Sequence, residues 1–426
     1  MMDFQVEPNT AEPLTMHIDL NSAFATTEQQ ANPNLRGKPI GVAANISPGG
    51  CVISPSIEAK ALGVKVGMRV RDAKEFCPKI TIIPGDPDKY FYIHKRFREI
   101  FYSYSPDVVG LSIDEAVINF AGTEQVRDGR SLVDIGYEIK RRMHDEIGEW
   151  MRCNVGISTN RFLAKMAASL HKPDGLDVIT HENLREVYVQ LNLTDLTGIS
   201  TRNEIRLKRH DIHTPLEFLD TPVWKLNKQV FKSIVGHHWY ARLRGYEVDD
   251  VQYKRKTYGQ TYALHKFTNE TDELARIMMK LCEKMGRRLR RSGHYARGIH
   301  VWCGYRGQRP GWHMGRKLGN TLYATQDLFE DAMKLMQQRP WDAKVTHLGV
   351  TCYDLKPVQY MTLPLFENRL TKRFRVADAM DRINNMYGEY VVYPARMIGM
   401  EGEIIKRVPF HATSDTLSEF EIDDPI

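Results

Sequence analysis

Three acids stand where a protein core would not keep them. Asp114 and Glu115 are adjacent and lie between two apolar, β-rich runs in Val108 to Phe120 (VVGLSIDEAVINF). Such runs read as strands, and a charged pair does not belong in the middle of a buried one. Neighbours in a straight strand point to opposite faces, so the two acids can serve one site only at a hairpin or bulge. Asp19 is the third. Leu14 to Leu20 (LTMHIDL) alternates Leu14, Met16, Ile18 and Leu20 with Thr15, His17 and Asp19, which places Asp19 at the open end of a half-buried strand. Three carboxylates converging from two sheet segments form a hard-oxygen site suited to Mg²⁺. Taken alone, the Asp-Glu pair reads more often as a solvated turn, so the rest of the chain has to decide.

The elements that must hold these acids alternate along the first 170 residues. After Asp19 come a short helix, a turn rich in Asn, Pro and Gly, and a strand near Pro39 to Ala43; a glycine turn then leads to a strand and to a small helix, IEAKALG, that carries Lys60 and ends at Gly63. Asp88 to Ser105 has helical spacing and stops before Pro106. Residues 131–148 give another amphipathic helix, Asn154 to Ser158 a strand, and Asn160 caps a helix to Leu170. The pattern predicts an α+β fold. Residues 258–356 read β, α, β, β, α, β, a four-stranded sheet with two helices.

At 426 residues the chain is long enough for two to four domains. Its six cysteines (51, 77, 153, 282, 303, 352) show no metal-ligand spacing, which argues for reduced structural thiols and against zinc. No membrane span and no targeting segment are expected, so the sequence points to the cytoplasm. Charge is unevenly placed. Residues 201–320 hold 25 Lys and Arg against 11 Asp and Glu, whereas residues 411–426 hold five acids and no base. The basic half predicts a polyanionic partner, and the acidic end a disordered tail.

Four segments, MHIDLNSAFA, CVISPSIEAKALGVKVGM, LSIDEAVINF and VGISTNRFLAKMAASLHKPDG, resemble in order and rough spacing the Y-family translesion DNA polymerases of the bacterial polymerase IV and polymerase V type. The resemblance implies a right-hand polymerase. It would divide into an N-terminal tail (1–13), a palm with a ferredoxin-like sheet (14–30 and 79–170), small fingers (31–78) and a helical thumb (171–246). A linker (247–257), a βαββαβ little finger (258–356), a clamp-binding and helical segment (357–410) and the tail (411–426) would follow. It also implies that Asp19 and Asp114 hold two Mg²⁺ ions, with Mn²⁺ as the substitute, that Glu115 completes the site at the primer end and that the Leu20 carbonyl adds a ligand. Two ions can neutralise charge on the entering and leaving oxygens of a phosphoryl transfer. Lys60 and Lys172 match the triphosphate-binding basic residues, and Phe24 matches the steric gate. Where many members carry a tyrosine this chain has Ile57, and where many carry an arginine it has Lys60. Ser54 and Ser56 are then the hydroxyls left to contact the nucleotide, and weaker nucleotide binding is expected.

Further along, Leu191 to Ile212 resembles a helix-hairpin-helix, with Gly198 and Ser200 at the phosphate-binding turn. The helix ending GRRLRRSG offers Arg287, Arg288, Arg290 and Arg291 to phosphate. Thr362 to Phe366 (TLPLF) resembles a sliding-clamp peptide anchored by Leu363, Leu365 and Phe366, and Phe374 to Gly388 reads as an amphipathic helix. The expectation is therefore a template-directed DNA polymerase that extends a primer with deoxynucleotides past damage, with primer-template DNA, dNTP and sliding clamp as partners and no membrane. One rival is a polymerase-shaped scaffold that binds DNA and clamp without catalysis, although such proteins typically lose the three acids. A nucleotide cyclase would explain the acids but not the basic half.

Overall fold

The computed structural model describes residues 6–251, 255–340, 343–362 and 369–400. The chain forms two compact units that divide after Val251. The first opens with β1 (Thr15–Leu20) and α1 (Ala23–Ala31), then passes through β2 (Ile40–Ala43), β3 (Val52–Pro55), α2 (Ile57–Ala61), α3 (Val70–Phe76) and β4 (Thr81–Pro84). It continues through α4 (Pro87–Tyr102), β5 (Val108–Gly110), β6 (Glu115–Asn119), the single turn α5 (Glu124–Arg127), α6 (Leu132–Glu146), β7 (Cys153–Ser158), α7 (Arg161–Leu170) and β8 (Leu176–Val178). β1 is the central strand of a five-stranded sheet ordered β5-β6-β1-β7-β8, antiparallel except for β7 with β8. β2, β3 and β4 make a separate three-stranded sheet, ordered β3-β2-β4, which runs to Pro84 and so beyond the 31–78 segment expected from the sequence.

Both faces of β1 are covered. Met16, Ile18 and Leu20 pack with Ala116, Ile118, Val155 and Ile157 against apolar residues of α4 and α6, including Phe97, Ile100, Ile135 and Met143. The alternation in LTMHIDL predicted a solvated second face, but His17 is 1 % exposed. The reason is α7, which lies across β7 and β1. Asn160 caps it by accepting from the Leu163 N–H at 2.8 Å, and its apolar residues Phe162, Leu163, Met166 and Ala167 join a helical core. Gly156 sets the height. A Cβ there would stand 2.0 Å from the Ala164 carbonyl oxygen and 2.2 Å from the Ala168 nitrogen, so the helix backbone rests directly on the strand.

The rest of the first unit is helical: α8 (Leu184–Val189), α9 (Thr201–Lys208), α10 (Pro215–Asp220), α11 (Val223–Lys225) and α12 (Val235–Leu243). The helix expected before the Gly198 turn is only a 3₁₀ turn, Leu193–Asp195, so the hairpin is one-sided. Its glycine is needed all the same, because Gly198 has φ +96 and packs on Trp239. The N-terminal stretch is no loose tail, since the Val6 N–H donates to the Tyr240 hydroxyl at 2.9 Å and the Asn9 N–H to the Arg244 carbonyl at 2.8 Å.

The second unit contains β9 (Thr257–Thr268), α13 (Thr271–Arg291), β10 (His294–Tyr305), β11 (Gln308–Leu322), α14 (Thr325–Met336), β12 (Val345–Tyr353), the short β13 (Lys356–Pro357) and α15 (Arg369–Tyr387). Its main sheet is ordered β11-β10-β12-β9, and the apolar stripes of α13 and α14 share one core with it. α15 is less buried than its sequence predicted, with only Phe374, Ala377 and Asn384 inside. Among the described residues no helix is long and apolar enough to cross a membrane.

If the contact at Gly156 sets the position of α7, Gly156→Ala should cost about 1 to 3 kcal/mol, the usual range for forced overpacking. A thermal melt checks it, and a wild-type melting temperature would show that α7 is free to lift off β7.

Candidate active site

The acids come together through strand register. Asp19 is the direct partner of Glu115 across the β1–β6 ladder and of Asn154 on the other side. Facing residues of an antiparallel pair share a face, so both carboxylates stand on the side covered by α7. Asp114 is the last residue of the turn before β6, where its carbonyl accepts from the Leu20 N–H at 2.9 Å and its carboxylate accepts from the Ser112 hydroxyl. That turn breaks the strand alternation, as the adjacent pair required.

Each ladder acid has a lysine. Lys165, on α7, donates to Glu115 Oε1 at 3.0 Å and to Oε2 at 2.8 Å. Lys172 donates to Asp19 Oδ2. The loop carrying Lys172 is tied down beside it: the Asp174 N–H donates to Asn21 Oδ1 at 2.8 Å, the Gly175 N–H donates to Asn154 Oδ1 at 2.9 Å, and Lys140 pairs with Asp174 at 3.1 Å. Lys165 was missed in the sequence because it sits inside an otherwise apolar helical run, FLAKMAASL. A lone lysine there is the signal that could have found it.

Burial pushes the Asp19 carboxyl above its ordinary value in spite of Lys172, and burial likewise raises Asp114 against the bond from Ser112. Glu115 goes the other way. Burial alone would raise it, but Lys165, with smaller help from His17 and Lys172, outweighs that and leaves it below the usual range. Three carboxylates thus share two close ammonium groups, and burial works against the charged form at Asp19 and Asp114. The all-oxygen donor set fits a hard divalent cation. Among the described residues, no three potential ligands are already drawn into metal-holding geometry.

Of the residues expected from the sequence to meet nucleotide, Lys60 lies on α2 and is exposed. Burial and then Lys172 lower its pKa, while Asp19 and Asp114 raise it, which places it within electrostatic range of the cluster. Phe24, the second residue of α1, is half-buried and stacks on Tyr90 with centroids 4.3 Å apart and planes at 18°. Ser54 accepts from the Ala25 N–H at 3.3 Å and so fixes the start of α1. Ser56 does not offer a free hydroxyl. It is fully buried, accepts from Ile40 and Ala59 N–H at 3.2 Å each and donates to the Lys38 carbonyl at 3.3 Å.

The basic end of α13 requires a correction. Arg290 is 7 % exposed; its Nε and Nη2 donate to Asp381 on α15 at 2.6 and 2.9 Å, and Nη1 donates to the Tyr323 carbonyl at 3.0 Å. Arg287 reaches Asn385 at 3.1 Å and lies 3.6 Å from Glu389. Arg288 donates to the Gly259 carbonyl at 3.2 Å, and neither it nor Arg291 is exposed. Arg287 and Arg290 hold α15, and Arg288 holds the sheet edge, instead of standing free toward phosphate as the sequence suggested. Gly198 and Ser200 lead instead into α9, on which Arg202 and Arg206 are exposed, as is Arg209 just past its end. The clamp residues Leu363, Leu365 and Phe366, like the acidic tail, lie outside the described residues.

A carboxylate cluster on a central antiparallel sheet, flanked by lysines and followed by a separate βαββαβ unit, defines a nucleotidyltransferase of the right-hand polymerase class. Residues 18–169 match the impB/mucB/samB family and residues 255–365 the C-terminal domain of that family. The chain is 30% identical over 388 residues to DNA polymerase IV of Moorella thermoacetica, covering 88% of this chain and 94% of that one. It is 30% identical over 404 residues to DNA polymerase IV of Pelotomaculum thermopropionicum, with 91% and 96% covered, and 28% identical to DNA polymerase IV 1 of Bacillus subtilis, with 93% and 96% covered. A Y-family DNA polymerase chimera of Dbh and Dpo4 shares the fold at TM-score 0.69 and 21% identity, over 80% of this chain and 98% of that one. The protein belongs to the Y-family DNA polymerases, and it is a DNA-directed DNA polymerase that depends on divalent metal.

Beneath the site, His94 on α4 is buried, with its Nδ1 2.9 Å from the Ile113 carbonyl, and burial pushes its pKa from 6.5 down to about 4. Because the folded value is depressed, its contribution to stability is complete above pH 6.5 and is lost as pH falls toward 4. The slope for this single group reaches about 1.4 kcal/mol per pH unit. His94→Asn keeps a donor for Ile113 without titrating, so melts between pH 7.5 and 5 should lose less stability than wild type; equal slopes would contradict this reading.

Proposed function

We propose that Asp19, Asp114 and the Leu20 carbonyl, with Glu115 at the primer end, hold a pair of Mg²⁺ ions for adding deoxynucleotides to a primer on template DNA, including past damaged positions. The observation that carries this reading is the pairing of Asp19 with Glu115 across β1 and β6, with Asp114 in the adjoining turn. When bound, the ions would activate the primer 3′-hydroxyl and neutralise the leaving phosphates. What the chain's own groups do follows from their places. Lys172 and Lys60 meet the triphosphate, and binding of that anion gives Lys172 a partner other than Asp19. Ser54 holds the start of α1, and Tyr90 backs the Phe24 ring, so that the phenyl edge bounds the space for the sugar. Exposed arginines of α9, after the Gly198 and Ser200 turn, meet backbone phosphate without reading sequence.

In this reading residues 14–30 and 85–178, which carry the central sheet through β8, act as palm, 31–84, which carry the β3-β2-β4 sheet, as fingers, 179–246 as thumb and 258–356 as little finger. Leu363, Leu365 and Phe366 recruit a sliding clamp, on the support of their sequence alone.

Single-nucleotide primer extension tests the assignment. Asp114→Ala should abolish incorporation while leaving DNA affinity nearly unchanged, since the acids and the arginines of α9 occupy different elements. Metal-dependent extension by that variant would sink the assignment. For the sugar, Phe24→Ala should raise ribonucleotide incorporation at least about tenfold, equivalent to roughly 1.4 kcal/mol of relieved discrimination. A destabilised variant with an unchanged dCTP to CTP ratio would return Phe24 to a purely packing role.

A further inference from the structure

We propose that Lys165 is an internal counter-ion that occupies Glu115 and holds the primer-side metal position closed until a divalent cation displaces it. The inference rests on the reading of Glu115 as a metal ligand given above. Both carboxylate oxygens of Glu115 accept from the one ammonium, at 3.0 and 2.8 Å, so any cation that needs this carboxylate must take an oxygen from Lys165.

The surroundings distinguish this pair from an ordinary surface ion pair. Glu115 and Lys165 side chains are 23% and 30% exposed, and Glu115 faces a second acid, Asp19, across the ladder. Without Lys165 the facing pair would keep only Lys172 in direct contact. Yet the contacts do not cover the cluster: Asp114 is bonded by a hydroxyl, not by an ammonium, and Lys60 acts on Asp19 and Asp114 only through space, so one of the three acids has no directly bonded lysine and the site stays open to a cation. The anchor is firm as well. α7 rests on β7 at Gly156 and is capped by Asn160, whose amide nitrogen donates to the Arg242 and Tyr246 carbonyls at 3.0 and 2.9 Å. Lys165 therefore cannot leave by a shift of its helix. It leaves by rotation of its side chain toward the solvent that already reaches it, and the ammonium is rehydrated there. A positive charge kept close to a bound divalent ion also repels it, which makes Lys165 an opponent of metal binding in the free protein.

Lys165 is a positioning residue in this account, and the decisive readout is metal affinity rather than turnover. Mn²⁺ is titrated into the full chain without DNA or nucleotide and followed by electron paramagnetic resonance, alongside a melt of each variant. Lys165→Met should bind Mn²⁺ about tenfold more tightly than wild type, because a like charge beside the ion is gone. Lys165→Arg, which keeps the charge, should restore wild-type affinity. If Lys165→Met melts early, Lys165→Gln gives the same comparison with a polar side chain in place. Unchanged or weaker Mn²⁺ binding in the neutral variants overturns the proposal. Asp114→Ala separates the two layers: if it leaves wild-type Mn²⁺ binding intact, the metal-site reading itself has failed, whereas Asp114-dependent binding that ignores Lys165 defeats only the counter-ion.

Discussion

Two acids facing each other across neighbouring strands are the constraint on which the catalytic unit depends. Facing Cβ atoms stand about 5 Å apart, and two unit charges at that separation repel by about 3 kcal/mol at an effective dielectric of about 20. A fold that places Asp19 opposite Glu115 has to bring cations to them. It does so from one continuous stretch, with Lys165 on α7 and Lys172 in the loop that follows. The same stretch is locked to the sheet twice, by the backbone contact at Gly156 and by Asn154 and Asn21 holding the loop beyond Lys172. Packing and electrostatics are therefore one problem here, since the helix that buries His17 is the helix that brings the ammonium.

This arrangement also explains why the acids are separate in character. Asp19 and Asp114 are pushed up by burial, Asp19 in spite of Lys172, while Glu115 is held down by Lys165, so one cluster contains two carboxyls whose charged form burial opposes and one whose charged form its lysine favours.

The fold was legible where periodicity and punctuation agreed. The Asn160 cap, the helical spacing that marks α4 and the β, α, β, β, α, β order of the second unit all follow from local rules that tertiary structure left alone. The acids stood out because charges interrupt β-rich runs, but the pair alone suits a solvated turn, and it was the four family-like segments in order that singled them out. Failures came where a distant element supplied the environment. Alternation in LTMHIDL could not announce that α7 would cover the polar face and bury His17. The run GRRLRRSG carries no sign that Asp381 and Glu389, nearly a hundred residues later, would claim Arg290 and Arg287. Cation-rich helix ends look alike whether they meet phosphate or carboxylate, and only the partner decides. Lys165 was hidden for the opposite reason, since one lysine in an apolar run reads as a solvated position on a packed helix.

The claim that Asp19 is a direct ligand to metal on β1 is tested most directly by changing the softness of that one ligand. Asp19→Cys replaces a hard oxygen with a thiolate, which prefers softer ions. Primer extension by this variant should be lost with Mg²⁺ and recover at least about tenfold when Cd²⁺ is supplied, while Asp19→Ala should recover with neither. Full Mg²⁺ activity in Asp19→Cys, or identical behaviour of the cysteine and alanine variants with Cd²⁺, would contradict the site as described.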